Sequence, residues 1–272
     1  MSKKVALITG ASSGIGKEAA ISLHQAGFIV YGAARRVENM TDLSQMGVHI
    51  LPLDVTNEES MISCVQSIFE KEGRIDVLVN NAGYGSYGAV EDVPMSEARR
   101  QMEVNVFGLA RMTQLVLPKM RENGYGKIVN ISSMGGRVWT SFGAWYHASK
   151  FAIEGFSHSL RLEVVPFGID VILIEPGGIK TPWGTIAADN LEEVSKDGAY
   201  EQQAKKTAEN MRRLYVQTRL TKPEKIAKVI SKSVSVAKPK TRYLLGYGAK
   251  ASVFALNVFG DRVYDKIIQK FM

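Results

Sequence analysis

The strongest constraint on the fold is a repeated alternation of short apolar runs with longer segments of helical periodicity. Seven runs are predicted to be strands, at residues 5–9, 29–33, 49–53, 77–80, 127–131, 170–175 and 243–245. Helical segments lie between them, among them 58–70, 96–121 and 145–165. Most runs are continuously apolar, which is typical of parallel strands covered on both faces. The pattern predicts an α/β fold with a doubly wound, mostly parallel, seven-stranded sheet.

The chain is expected to form one domain with a helical lid. Its 272 residues contain no repeat period, low-complexity tract or linker, so residues 1–272 are predicted to be a single Rossmann-type domain. Residues 183–220 interrupt the alternation, because they are polar and rich in Glu, Lys, Gln and Ala. An insertion after the carboxyl end of a strand favours a helical lid over a ligand site. A surface excursion without function is the alternative.

The last part of the chain is predicted to be an amphipathic helix over about residues 251–272. Five apolar side chains fall on one of its faces: Leu256, Phe259, Val263, Ile267 and Phe271. We expect this face to pack on the domain or on a second subunit, with weak contact to a membrane surface as the alternative.

The charge of the chain is concentrated in its last part. Residues 201–272 hold 16 Lys or Arg against 5 Asp or Glu, which suits an anionic partner or a solvated helix surface. This part lacks the interleaved aromatic residues of a nucleic-acid surface. No nucleic-acid partner is therefore expected.

A reducing, cytoplasmic location is expected. Cys64 is the only cysteine, so no internal disulfide can form, and its helical apolar pattern predicts a core position. The first residues contain no signal-peptide run. No apolar stretch reaches the ~18 residues that a membrane-spanning helix needs.

A glycine-rich turn follows the first predicted strand. Residues 9–16 read Thr-Gly-Ala-Ser-Ser-Gly-Ile-Gly and lead into a helical segment. Glycines at such a position let the backbone turn tightly and approach a pyrophosphate, which rests on the amide groups of the helix N-terminus. The turn predicts a dinucleotide site formed by Gly10, Ser12, Ser13, Gly14, Ile15 and Gly16.

The end of the second predicted strand indicates which dinucleotide binds. An acidic side chain there would bind the bare ribose of NAD, whereas arginine accommodates the 2′-phosphate of NADP. The sequence continues from this strand with Arg35 and Arg36, and the first acid, Glu38, comes later. The predicted cofactor is therefore NADP.

Tyr146 and Lys150 are candidates for acid–base chemistry. On a helix, residues four apart lie on one face. A free tyrosine titrates near pH ~10, and lowering its pKa to about 7 takes roughly 4 kcal/mol. One positive charge about 4 Å away supplies about that much at an effective dielectric constant near 20. The pair is predicted to act as a tuned proton donor and acceptor, with a solvated helix face as the alternative.

Further motifs resemble those of the short-chain dehydrogenase/reductase family. Residues 9–16 match its TGxxxGxG turn, and the other matches are Asn80-Asn81-Ala82-Gly83, Asn105, Ser133, Tyr146 with Lys150, and Pro176-Gly177. Tyr146 lies thirteen residues beyond Ser133, as the family pattern requires. The matches cover roughly residues 5–182 in the right order. Residues 146–155 further resemble the branch of 17β-hydroxysteroid and retinol dehydrogenases.

The resemblance implies an oxidoreductase that interconverts a carbonyl group and an alcohol. Tyr146 would be the acid in reduction and the base in oxidation, while Lys150 would lower its pKa and bind the nicotinamide ribose. Ser133 would hold the substrate oxygen and stabilise its developing charge. Asn105 would anchor a water that leads protons from Lys150 to solvent. A homodimer or homotetramer built through segments 96–121 and 145–165 is also implied.

Further cofactor contacts are implied by the same resemblance. They are Asp54, Val55, Asn81, Ala82, Gly83, Tyr146, Lys150, Pro176, Gly177, Ile179 and Thr181. Two alternatives remain open, because Asn81 could mainly tie strands together and Asp54 could cap a turn.

Large apolar residues on loops near the predicted site indicate the substrate. The predicted pocket consists of Tyr84, Met134, Trp139, Phe142 and Trp183, each of which could alternatively be core. Together they predict a hydrophobic ketone, aldehyde or alcohol. The four histidines are not spaced as metal ligands, so no metal is expected. A dinucleotide-binding sensor or scaffold without catalysis is the alternative, although such a protein needs no proton relay.

Overall fold

The computed structural model describes residues 3–216 and 220–271, except for the side chain of Phe271. Its strands are β1 (Val5–Thr9), β2 (Ile29–Ala34), β3 (His49–Pro52), β4 (Val77–Asn80), β5 (Gly126–Ile131), β6 (Ile169–Pro176) and β7 (Arg242–Leu245). They form one sheet in the order β3-β2-β1-β4-β5-β6-β7, and every neighbouring pair is parallel. The seven predicted strands are confirmed, as is the doubly wound class.

Helices cover both faces of this sheet. They are α1 (Gly14–Gln25), α2 (Thr41–Gln45), α3 (Glu58–Glu72), α4 (Met95–Met102), α5 (Gly108–Glu122), α6 (Ala144–Val164), α7 (Trp183–Val194), α8 (Glu201–Val216), α9 (Pro223–Ser235), α10 (Ala249–Phe259) and α11 (Asp261–Phe271). Buried side chains of α1, α2 and α9 form the core on one face, and those of α3, α5 and α6 form the core on the other. Cys64 lies in the second core, as predicted.

The segment predicted as one helix over 96–121 contains a widened turn. Between α4 and α5, residues Glu103–Phe107 form a π-helical turn, in which hydrogen bonds run to the fifth residue instead of the fourth. Such turns rotate the side chains that they carry, and they occur frequently at functional sites. This one carries Asn105, which is buried.

The lid segment forms two packed helices. Arg212 on α8 joins them through ion pairs to Asp189 at 2.6 Å and Glu192 at 2.7 Å on α7. Gly184 at the start of α7 lies so close to Tyr215 that an added Cβ would approach its ring to 2.3 Å. Residues 217–219 of the predicted lid lie outside the described residues.

The C-terminal segment is two helices, which corrects the expectation of one continuous amphipathic helix. Gly260 separates α10 from α11 with a φ of +71°, a conformation that side chains other than hydrogen disfavour. The expected apolar face is consequently divided. Phe259 and Val263 are exposed, whereas Tyr264, outside that face, is 1% exposed. Phe271 has no described side chain.

Over residues 3–216 and 220–271, none of the helices combines the length and the apolar character needed to span a bilayer.

Candidate active site

A cavity of about 1330 Å³ lies at the carboxyl ends of the strands. Its wall includes Gly10 after β1, Arg35 after β2, Asn81 after β4, Ser133 after β5 and Pro176 at the end of β6. This is the edge at which open parallel sheets bind their ligands. The strand topology therefore brings together residues that are up to 166 positions apart in the sequence.

The glycine-rich turn forms one end of the cavity. Gly10 and Gly14 have φ values of +68° and +56°, and a Cβ on Gly10 would lie 2.9 Å from the Cα of Ala82. Ser13 precedes α1 in an extended conformation and makes no side-chain capping bond, so the first amide groups of α1 remain available to an anion. The residues lining the cavity here are Gly10, Ser12, Ser13, Gly14 and Ile15.

Gly16 has a packing role that the sequence analysis did not foresee. It is not among the residues that line the cavity, although it was expected to contact the cofactor. A Cβ at this position would lie 2.4 Å from the carbonyl oxygen of Gly10 and 2.3 Å from Asn81 Nδ2. Its glycine therefore permits α1 to pack closely against the turn.

Asn81 ties the first and fourth strands together and also borders the cavity. Its side-chain nitrogen donates to the carbonyl oxygens of Thr9 at 3.0 Å and Gly10 at 3.1 Å. In return, the Thr9 hydroxyl oxygen accepts hydrogen bonds from the backbone nitrogens of Asn81 and Ala82, both at 3.0 Å. The structural alternative for Asn81 is thus confirmed, and Ala82 and Gly83 line the cavity beside it.

Two cations and one anion border the cavity at the ends of β2 and β3, the strands that follow β1 in the sheet on the side of the glycine-rich turn. Arg35 and Arg36 are exposed at the end of β2, and neither forms an ion pair within the described residues. Asp54 accepts hydrogen bonds from the backbone nitrogen of Thr56 at 3.0 Å and its hydroxyl at 2.8 Å, so it does cap a turn. Burial raises the pKa of Asp54, but the bonds from Thr56 outweigh it, and the pKa lies below its ordinary value. Val55 also lines this part of the cavity.

Tyr146 and Lys150 lie together near the middle of the cavity. Both are on α6, both are 8% exposed, and both line the cavity. The Lys150 ammonium donates to the carbonyl oxygen of Ile131 at 2.9 Å, which fixes it to the end of β5. It lies 6.0 Å from the centroid of the Tyr146 ring.

Ser133 stands beside the phenol. Its hydroxyl accepts a hydrogen bond from the backbone nitrogen of Gly135 at 2.9 Å and approaches the carbonyl oxygen of Pro176 at 3.4 Å. Ser133 also hydrogen-bonds Tyr146. The hydroxyl of Ser133 and the phenol of Tyr146 therefore lie at the same part of the cavity. A carbonyl oxygen that is being reduced requires such a hydrogen-bond donor and such an acid.

Asn105 links two elements that border the cavity. It is 1% exposed and is not among the residues that line the cavity. Its side-chain nitrogen donates to the Ser149 hydroxyl at 3.0 Å and to the Tyr84 carbonyl at 2.9 Å, and its oxygen accepts from the Tyr84 backbone nitrogen at 3.0 Å. These bonds connect α6 to the loop after β4.

Burial shifts the pKa values of Tyr146 and Lys150 in opposite directions. It raises the pKa of Tyr146 to about 12, although the hydrogen bond with Ser133 acts in the opposite direction. Burial also lowers the pKa of Lys150 to about 8, against the attraction of Glu154. That Lys150 lowers the pKa of the phenol stays a prediction.

Comparison with known proteins decides the family. The model of the short chain dehydrogenase family matches residues 4–192. The chain belongs to the short-chain dehydrogenase family. It is an oxidoreductase, a dehydrogenase or reductase that uses a nicotinamide dinucleotide.

Several curated relatives of this short-chain dehydrogenase span the chain or most of it. The uncharacterized oxidoreductase YusZ of Bacillus subtilis is 38% identical over 99% of both chains. A 3-ketodihydrosphingosine reductase of Bacteroides thetaiotaomicron is 47% identical over 66% of each chain. An NADPH-dependent 3-dehydrocapnine reductase of Ornithobacterium rhinotracheale is 31% identical over 98% of this chain and 96% of its own.

Solved structures of related proteins share the architecture. A short-chain dehydrogenase from Streptomyces avermitilis superposes with a TM-score of 0.82 at 35% identity, over 99% of this chain and 97% of its own. An actinorhodin polyketide ketoreductase variant with NADPH gives a TM-score of 0.73 at 32% identity, over 88% of this chain and 94% of its own.

An aromatic cluster around Trp183 borders the cavity of this short-chain dehydrogenase. The indole centroid lies 5.1 Å from that of Tyr146, 5.9 Å from Tyr87 and 6.3 Å from Tyr215. The lid helices therefore reach the phenol directly. Tyr84, Met134 and Trp183 of the expected pocket line the cavity, together with the cofactor-side residues Pro176, Gly177, Ile179 and Thr181.

Two residues of the expected substrate pocket lie elsewhere. Trp139 packs 5.5 Å from the ring of Tyr264 and donates through Nε1 to Asp265 at 2.8 Å, so it anchors α11. Phe142 has a φ of +62° and packs against Tyr200, 6.3 Å away. Neither is among the residues that line the cavity. Both were placed in the pocket because they are apolar loop residues, but the C-terminal and lid helices cover them.

One wall of the cavity, formed by the C-terminal helices, was not predicted from the sequence. α10 and α11 contribute Ala251, Ser252, Ala255, Ile267 and Ile268 to its lining. The signal was present as helical apolar periodicity, but that pattern does not indicate which surface a helix covers. Most of these residues are apolar, and we call the part of the cavity that they line the apolar channel.

His147 is a second residue that was missed. It lines the cavity next to Tyr146, where its Nε2 accepts from the backbone nitrogen of Thr140 at 3.0 Å and its Nδ1 bonds the carbonyl oxygen of Gly135 at 2.9 Å. Burial lowers its pKa, so the ring is neutral at pH 7. It connects α6 to the loop that carries Ser133.

Proposed function

We propose that this short-chain dehydrogenase is an NADPH-dependent reductase of a hydrophobic ketone or aldehyde, with Tyr146 as the general acid. The observation that carries the proposal is the position of Tyr146. Tyr146 lines the same cavity as the glycine-rich turn, and it also packs in one apolar cluster with Trp183 and the buried alanines of α7 and α8.

The residues around the glycine-rich turn fit a dinucleotide phosphate. A side chain at position 10 would collide with Ala82. With glycine at this position, the backbone of the turn can approach a pyrophosphate closely. Arg35 and Arg36 offer cationic groups beside the cavity, which favour a 2′-phosphate over a bare ribose hydroxyl. When bound, the reduced nicotinamide supplies the hydride.

The chain's own residues supply the proton. Reduction of a carbonyl needs a protonated donor, and a phenol whose pKa is raised to about 12 keeps its proton at neutral pH. Ser133 is positioned to donate to the substrate oxygen, and Lys150 provides positive charge beneath it. The protonated state of Tyr146 favours the reductive direction.

The apolar lining from the lid and the C-terminal helices supports an extended, apolar substrate. The apolar channel is bordered by Trp183, Ile186, Ala255, Ile267 and Ile268. Burying such a surface against an alkyl or ring system contributes about 0.8 kcal/mol per methylene. The two relatives named as reductases of 3-ketodihydrosphingosine and of 3-dehydrocapnine support a ketone as the reacting group.

A substrate panel followed by the loss of NADPH absorbance tests the proposal. We expect turnover of long-chain and aromatic ketones, with 3-ketodihydrosphingosine as one member, and little turnover of small sugars. NADH should support a lower kcat/KM than NADPH. Activity confined to polar sugars, or a preference for NADH, would contradict the proposal.

The second candidate is a dinucleotide-binding sensor without catalysis. It would bind NADPH and reduce none of the panel. The close placement of Ser133, Tyr146 and Lys150 favours an enzyme, because a sensor has no use for a buried acid beside a hydrogen-bond donor.

We also propose that the chain is a single domain, forms a homodimer or homotetramer and is cytoplasmic. The core clusters on both faces of one sheet support a single domain over residues 1–272. Exposed Phe107, Phe151 and Leu162, within the segments expected to form an interface, support a homodimer or homotetramer. The single cysteine, Cys64, supports a reducing, cytoplasmic compartment. Sedimentation velocity and cell fractionation test these points.

The corner between α10 and α11 is proposed to contact an anionic membrane surface. Phe254, Val258 and Phe259 are 55–64% exposed there, and the cations Lys250 and Arg262 lie on the same two helices. Apolar side chains next to positive charge match the lipid headgroup region. The same helices border the channel, so an apolar substrate could pass from the membrane to the site.

A further inference from the structure

A buried pair of carboxyl groups lies behind the catalytic residues. Glu154 follows Lys150 by one helical turn on α6, and Glu175 lies on β6. Glu154 is 7% exposed and Glu175 is 0% exposed. Because residues four apart share a helix face, Tyr146, Lys150 and Glu154 form one row.

The pair is joined to two arginines on its outer side. Arg242 on β7 contacts both acids, with 3.0 Å to Glu154 Oε2 and a shorter contact to Glu175 Oε1. Arg137, which follows β5, lies 3.8 Å from Glu175 Oε2. Both arginines are partly exposed, so the cluster extends from solvent to the catalytic lysine.

Apart from their ion pairs with Arg242 and Arg137, the carboxyl oxygens of the pair have no donor within the described residues. None of the four oxygens of Glu154 and Glu175 accepts a well-directed hydrogen bond in the described part of the chain, although the two side chains are adjacent. Two carboxylates cannot donate to each other, whereas one shared proton turns one of them into a donor. Burial, followed by the charge of Glu154, raises the pKa of Glu175 to about 7, which favours such sharing.

Other charged groups around the pair do not replace this proton. From α6, the pair faces Lys150 and His158, with Arg161 beyond His158. His158 Nε2 lies 2.6 Å from Arg242 and 4.0 Å from Glu154. Burial and these arginines lower the pKa of His158, so it is neutral at pH 7.

We propose that Glu154 and Glu175 share one proton and present a single negative charge to Lys150, which keeps its ammonium charged next to Tyr146. Glu154 acts through Lys150 and is therefore a positioning residue. The proposal rests on the proposed reductase function, because its kinetic readout needs turnover.

The first experiment follows kcat/KM for ketone reduction by NADPH as a function of pH. In Glu154→Gln the single charge lies on Glu175, whereas the carboxyl whose charge acts on Lys150 is Glu154. The alkaline limb should therefore move to lower pH by about one unit, as expected for the loss of a charge one helical turn away at high effective dielectric. Glu154→Asp should restore most of the shift. Glu163→Gln, an exposed glutamate on the same helix, should leave the limb unchanged.

Glu175→Gln separates a shared proton from two independent charges. With one proton shared, the remaining Glu154 ionises, so the charge that faces Lys150 stays at minus one and the limb stays in place. A limb that moves as it does in Glu154→Gln would overturn the sharing. A limb that stays in place in folded Glu154→Gln would overturn the role of Glu154.

Infrared spectroscopy tests the pair without any activity. At neutral pH, the wild-type protein should show the band of one protonated carboxyl group, and both Glu154→Gln and Glu175→Gln should lack it. Absence of the band in the wild type would overturn the proposal even if Glu154→Gln failed to fold. A wild type that reduces no ketone would overturn the proposed function instead, and the band would still decide the pair.

Discussion

The Lys150 ammonium lies 6.0 Å from the ring centroid of Tyr146 and is tied to the Ile131 carbonyl at 2.9 Å. A helix face and the end of β5 thus fix the ammonium and the phenol relative to each other. Burial raises the pKa of Tyr146 to about 12, so the phenol keeps its proton at neutral pH. This protonated state is the one that the proposed reduction requires.

Tyr146→Phe should abolish most turnover and leave NADPH binding intact. It removes the acid but keeps the ring that packs against Trp183. We expect kcat to fall about 10²- to 10⁴-fold, the usual contribution of a general acid. Stopped-flow reduction and fluorescence titration with NADPH measure the two effects. Tyr200→Phe, which alters a tyrosine outside the cavity lining, is the matched control, and equal losses in both variants would refute the assignment.

Ketone reduction should decline as pH rises through about 8. Burial lowers the pKa of Lys150 to about 8, so above this pH the ammonium loses its charge and stabilises the substrate oxygen less. The activity that depends on this charge is present below the pKa and lost above it. A pH profile of kcat/KM that stays flat to about pH 10, where a free lysine titrates, would exclude the role of Lys150.

Replacing Arg35 and Arg36 by alanine should reduce the preference for NADPH. A hydrogen bond to a charged group contributes about 1.5–3 kcal/mol, so losing one such bond should raise KM for NADPH roughly 10- to 100-fold. KM for NADH should change little, because it carries no 2′-phosphate. Arg99→Ala, at an exposed arginine on α4, serves as control. A parallel rise of both KM values would point to a general loss of structure.

Tyr264→Ala should weaken substrate binding without affecting the cofactor. Tyr264 is 1% exposed and packs on Trp139, so its loss releases α11 from the loop after β5 at a cost of about 3–5 kcal/mol. We expect KM for a long-chain ketone to rise at least about tenfold, since the loss of about two methylene contacts at about 0.8 kcal/mol each is sufficient for such a change. Tyr264→Phe, which keeps the ring, should remain near wild type. Unequal dissociation constants for NADPH across these variants would contradict the separation of the cofactor site from the apolar channel.

Phe254→Ser with Phe259→Ser should abolish flotation with vesicles that contain phosphatidylglycerol. The two side chains are 64% and 55% exposed, and phosphatidylcholine vesicles should bind even the wild type weakly, because the cations of α10 and α11 need anionic lipid. Val90→Ser, at an exposed valine between β4 and α4, is the control. If the double variant instead changes the sedimentation coefficient, the corner is an interface between two copies.

The strands and the glycine-rich turn were predictable because their signals are local. Buried parallel strands must be apolar along their whole length, and a backbone that approaches a pyrophosphate needs glycine at fixed positions. Tyr146 and Lys150 share a helix face by spacing alone. Topology then brings the strand ends to one edge.

The remaining features depend on contacts between distant residues. The widened turn at Asn105 and the break at Gly260 have no unique sequence signal, because glycine and asparagine also occur within regular helices. Trp139 and Phe142 were expected in the pocket, since an apolar loop residue gives no indication of the helix that covers it. Glu154 and Glu175 are 21 residues apart in sequence, and only the packing of α6 on β6 makes them a pair.

The bond between Trp139 and Asp265 joins the loop that follows the catalytic serine to a helix more than a hundred positions later in the chain. Residues of α10 and α11 that line the cavity can therefore be exchanged while this anchor stays in place. Libraries for altered ketone preference are best directed to positions 251, 252, 255, 267 and 268, with Tyr264 and Asp265 kept.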